Sequence, residues 1–66
     1  MRRQTERTGL MVVRIWFEDS GVSLRARLTE TSDLDSAEQT SRVAASIDEV
    51  VEIVRDWVEE FVAAAR

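Results

Sequence analysis

The side chains best suited to hold a ligand in this chain are Arg14, Trp16, Arg25 and Arg27. Met11, Val13, Ile15 and Phe17 alternate with Val12, Arg14 and Trp16, and Val22, Leu24, Ala26 and Leu28 alternate with Ser23, Arg25 and Arg27. Such alternation predicts two half-buried strands. Asp19-Ser20-Gly21 between them predicts a turn in which Gly21 takes a positive φ. Only an even-numbered loop keeps both apolar sets on one face. With Ser20-Gly21 as the loop, Phe17 opposes Leu24, Ile15 opposes Ala26 and Val13 opposes Leu28. The other face then shows Val12, Arg14, Trp16, Arg25, Arg27 and Thr29, with Arg14 opposite Arg27 and Trp16 opposite Arg25. Opposed like charges destabilise a sheet, whereas Arg against Trp gains from a cation–π contact. A basic aromatic face suits an anion, a carboxylate-rich protein or, by stacking, single-stranded nucleic acid. It also has the composition of an ordinary solvated face whose Arg stems cover Trp16.

Most other chemistry is excluded by what the chain lacks: it has no His, Cys, Lys or Tyr. Without Cys there is no disulfide and no thiolate metal site. Asp33, Asp35 and Glu38 carry oxygen ligands of the kind calcium or magnesium takes, but the glycine and bidentate Glu of a calcium loop are missing. General acid–base work by two carboxylates needs a cleft that a chain this short rarely builds. The expectation is no enzymatic activity, no metal and no cofactor. A net charge of −4 opposes affinity for phosphate backbones.

The elements that must position the Arg/Trp face include a long C-terminal helix. Ser46-Ile47-Asp48-Glu49 fits a capping box, in which the Ser hydroxyl accepts the Glu49 amide and the Glu side chain returns to the Ser amide. No Gly or Pro interrupts Ile47 to Arg66. At about 100° per residue, Ile47, Val50, Val51, Val54, Trp57, Val58, Phe61 and Ala65 fall together. Ile53 and Ala64 flank that stripe on one side and Val62 on the other. The apolar arc covers roughly half the circumference, wider than one-sided packing requires. Asp48, Glu49, Glu52, Arg55, Asp56, Glu59 and Glu60 fill the opposite arc. The bland reading is a core helix with a solvated acidic face. The sharper reading sends the edges of the arc, Ile53 and Trp57 above all, into a subunit interface.

Residues 1–9 are polar after Met1 and read as a disordered tail, leaving 10–66 as one domain. Residues 30–39 read as a loop, with Leu34 at the edge of the core. For Thr40 to Ala45 two readings stand, a short third strand or a helix already begun near Ser36. Thr40, Ser41 and the later capping box favour the strand. The expected core is Met11, Val13, Ile15, Phe17, Leu24, Leu28, Ile47, Val50, Val54, Val58 and Phe61. A 66-residue chain buries only about 60% of its unfolded surface and leans on self-association when it has no disulfide or metal. No signal peptide and no run of about 20 apolar residues is visible, so a cytoplasmic location without a membrane is expected. Exclusive use of Arg as the basic residue fits a GC-rich bacterial or phage source.

The order of hairpin, third strand and capped amphipathic helix resembles the N-terminal domain of HicB-type antitoxins. The counterpart of that family's helix opening is Val43-Ala44-Ala45-Ser46-Ile47-Asp48-Glu49-Val50, running on to Trp57. The resemblance spans about Leu10 to Phe61. The family's Pro-Gly segment between strands two and three has no counterpart, since the chain has no Pro. Its C-terminal DNA-binding portion has none either. The resemblance implies an oligomeric protein that neutralises a small basic ribonuclease. Taken together, the expectation is an α+β domain, a two- or three-stranded antiparallel meander on one helix. Its expected role is a self-associating protein-interaction module, regulatory or antitoxin-like, with a homodimer or a small basic protein as partner. The rivals are a single-stranded nucleic-acid binder using the Arg/Trp face and an accessory subunit of a larger assembly.

Overall fold

Leu10–Glu18 forms β1, Ser23–Thr31 β2, Thr40–Ala44 β3 and Ile47–Ala65 α1. The computed structural model describes residues 8–31 and 38–65. Most of the expected tail, together with Asp33, Leu34 and Asp35, lies outside them. The strands form one antiparallel sheet in the order β1-β2-β3. The architecture is α+β, and Thr40 to Ala44 is a strand rather than an early turn of helix.

The β1–β2 register is the one that apolar matching demands: Phe17 opposes Leu24, Ile15 opposes Ala26, and Val13 opposes Leu28. The turn differs in size. Pairing ends at Glu18 and Ser23, so Asp19 to Val22 make the connection instead of Ser20-Gly21 alone. The count stays even, which preserves the faces. The Glu18 carbonyl accepts the amides of both Gly21 and Val22, at 3.1 and 3.0 Å. Three consecutive left-handed residues achieve this, Asp19 (φ 54°), Ser20 (57°) and Gly21 (91°). Asp tolerates that region better than most residues, and Ser23 Oγ donates to Asp19 Oδ2 at 3.0 Å.

Ser46 caps α1 as its sequence implies. The Glu49 amide donates to Ser46 Oγ at 3.1 Å. Glu49 Oε1 accepts the Ala45 amide at 2.7 Å, one residue earlier than the standard box. Ser46→Ala should therefore cost about 1 kcal/mol, the usual price of a hydroxyl cap. Urea unfolding followed by circular dichroism measures it, and unchanged stability would mean that the Glu49 bond alone holds the first turn.

Cross-strand partners share a face. One face of the sheet, here the inner face, carries Met11, Val13, Ile15 and Phe17 from β1, Leu24, Ala26, Leu28 and Glu30 from β2, and Arg42 and Ala44 from β3. Helix α1 lies over part of this face, against β2 and β3. Ala26, Leu28 and Ala44 are buried there, with Met11, Val50, Ile53 and Val54 packed around them. Gly9 is also half-buried. A Cβ on it would stand 3.0 Å from Trp57 Cζ2 and 3.1 Å from Phe61 Cε1, so the packed body begins before Leu10.

The core is much smaller than expected. Val13, Ile15, Phe17, Ile47 and Val58 are exposed, Ile15 and Phe17 at 63% and Ile47 at 71%. The reason is geometric. A helix is about 10 Å across and strands are spaced about 4.8 Å, so one helix covers about two strands. Here those two are β2 and β3.

Candidate interaction surface

Two surfaces are candidates for contact with a partner. On the outer face, Arg14 opposes Arg27 and Trp16 opposes Arg25. The guanidinium over Trp16 belongs to Arg14, with its Cζ 5.1 Å from the ring centroid. Arg25 engages Glu18, Nε to Oε1 at 3.3 Å. Trp16 Nε1 donates to the other oxygen of the same carboxylate at 3.1 Å. Glu18, which sequence reasoning had not singled out, thus organises one end of the patch and offsets part of its charge. Such a half-exposed ion pair contributes about 0–1 kcal/mol. Arg27 is exposed and faces Val43 across β3. The four residues expected to form a basic aromatic face do lie together.

The second surface is apolar. On α1, Ile53 packs against the core and Trp57 stacks tilted on Phe61, centroids 6.2 Å apart. The two helix residues expected at an interface are therefore largely engaged inside the chain. Glu60, seven positions beyond Ile53 and on the same border of the helix, reaches Arg42 of β3. That border faces β3. The uncovered apolar residues line the other border: Ile47, Val51, Val58 and Val62. It points towards β1, whose inner face shows Val13, Ile15 and Phe17. Helix border and strand face thus form the two walls of one open apolar corner. The width of the apolar arc signalled a surplus correctly, but helical periodicity alone does not say which border stays open.

At the far end of the inner face sits Glu30, only 9% exposed. Arg42 Nη2 lies 3.8 Å from its Oε2 and 4.0 Å from Glu60 Oε1. Glu30 Oε2 accepts no hydrogen bond from any described residue. Sequence reasoning placed Glu30 in a loop, whereas β2 runs on through Thr31. No helix among the described residues is long and apolar enough to cross a membrane. No family model, curated protein or solved structure matches the chain.

Proposed function

We propose that this chain is a non-enzymatic, self-associating protein-interaction module, acting as a regulatory, antitoxin-like component of a bacterial cytoplasm. One observation carries the reading: among the described residues only Leu28, Ala26 and Ala44 are fully buried apolar residues, with Met11, Val50, Ile53 and Val54 partly buried around them, beside an uncovered apolar corner. Full burial of a Leu is worth about 1.5–3 kcal/mol, which leaves a domain this small dependent on a partner. A second copy is the partner always at hand. The outward acidic arc of α1, with Asp48, Glu52, Asp56 and Glu59, remains available to a small basic protein after self-association. The nucleic-acid alternative is weakened by Glu18, which already holds Arg25 and Trp16.

Sedimentation equilibrium in the micromolar range should give a dimer, and the melting temperature should rise with protein concentration. A cooperatively melting monomer over that range would refute self-association. For the antitoxin role, the purified chain should inhibit a small basic ribonuclease encoded beside it in stoichiometric amounts. A ribonuclease left fully active by excess chain would overturn that role and retain the module.

A further inference from the structure

We propose that two copies join through β1, running antiparallel and centred on Ile15, so that two three-stranded sheets become one continuous sheet. This rests on the self-association reading and specifies how it is met. In the observed order β1 is an edge strand. It has nine residues, Leu-Met-Val-Val-Arg-Ile-Trp-Phe-Glu. Edge strands are normally defended by Pro, Lys, a bulge or short length. β1 has no Pro or Lys, its two charges, Arg14 and Glu18, both lie on the outer face, and its register with β2 runs unbroken from Leu10 to Glu18. The β-branched and aromatic residues along it favour extended pairing. The opposite edge, β3, is only five residues long.

Charge and face together select the register. Inner residues must meet inner residues, which restricts the two-fold centre to a residue of β1. Centring on Arg14 sets Arg14 against its own copy, with Arg27 behind each, a row of like charges. Centring on Trp16 leaves only residues 14–18 paired, and centring on Val13 pairs residues 10–16 but leaves the exposed Phe17 without a partner and sets Arg14 against Val12. Centring on Ile15 pairs residues 12–18, placing Ile15 on Ile15 and Val13 on Phe17. These three are the exposed apolar side chains of the inner face of β1. On the outer face it sets Arg14 opposite the second copy's Trp16 and diagonal to its Glu18, repeating between copies the Arg14–Trp16 contact already made within one. The repulsion between Arg14 and Arg27 is thereby answered by an aromatic ring and a carboxylate from the second copy.

The chain has no Cys, so single Cys variants report the centre without background. Opposed residues in an antiparallel pair have Cα atoms about 4.5–5.5 Å apart, inside the range a disulfide spans. Centred on Ile15, the two Arg14 Cα atoms stand about 8 Å apart, beyond that range. On mild oxidation of the full chain at micromolar concentration, Ile15→Cys should form a linked dimer at least about tenfold faster than Arg14→Cys or Val58→Cys. Faster linking of Arg14→Cys would overturn the register, and faster linking of Val58→Cys would move the interface to the helix. Both outcomes leave self-association standing. A chain that sediments as a monomer removes the reading beneath. Amide exchange of the unsubstituted chain is the second readout, because edge amides of β1 should gain protection as concentration rises. Protection independent of concentration would refute edge pairing even if a Cys variant misfolds.

Discussion

Ile15→Glu will abolish self-association in the micromolar range while leaving the single chain folded. Ile15 is mostly exposed in the monomer, so a polar replacement costs that state little. In the paired state the same position meets its own copy at the centre of a sheet. Two carboxylates are then opposed and partly desolvated, at a cost of about 2–4 kcal/mol, or roughly 30- to 1000-fold in association. Ile15→Thr is the control: it keeps the β-branched shape without the charge and should weaken association far less. Sedimentation equilibrium reads the effect, and far-ultraviolet circular dichroism of dilute samples checks the fold. If Ile15→Glu associates like the parent chain, β1 is outside the interface, and Val51→Glu on the open border of α1 becomes the variant that should act.

Arg42→Leu should destabilise the fold far more than a change at a part-exposed residue usually does. Glu30 is buried and its Oε2 has no hydrogen bond among the described residues, so the nearby Arg42 guanidinium is what answers its charge. Arg42 also reaches Glu60 on α1, so one cation joins the end of β2 to the last turns of the helix. Breaking a fully buried pair costs about 3–5 kcal/mol. Arg42 is a third exposed and the pair is long at 3.8 Å, so about 2 kcal/mol is expected. Replacing both partners by apolar residues is often neutral. Glu30→Met with Arg42→Leu should therefore recover most of the loss. Urea unfolding of the two single variants and the double variant closes the cycle. A cost under about 0.5 kcal/mol for Arg42→Leu would mean that water reaches Glu30.

Much of this was legible in the sequence, for identifiable reasons. The hairpin register follows from a period of two, because a one-residue slip would put Phe17 and Leu24 on opposite faces. The third strand and the cap follow from Thr40, Ser41 and the Ser46–Glu49 pair, whose chemistry is local. The turn was less legible, since placing Asp19 and Ser20 in the left-handed region depends on the carbonyl of Glu18. The core was misjudged because alternation shows which residues share a face and not whether anything covers it. Val13, Ile15 and Phe17 have the right face, but the helix rests on the neighbouring strands β2 and β3. Comparing the width of one helix with that of three strands would have exposed the shortfall. Glu30 was missed because a carboxylate beside Thr and Ser reads as a loop until β2 is seen to continue beneath the helix.

The seat of α1 over β2 and β3 also sets a stoichiometry. In the continuous sheet proposed above, six strands at about 4.8 Å spacing span roughly 29 Å, enough for about three helices of 10 Å each. Two are supplied, one at each side, and the floor between them is Val13, Ile15 and Phe17 from both copies. That gap is one helix wide and lies on the two-fold axis. A single amphipathic segment placed there has no symmetry of its own, so it fits in either of two equivalent directions but only once. A pair joined in this way leaves room on its inner face for a single added helix, and one docked there would shut out a second.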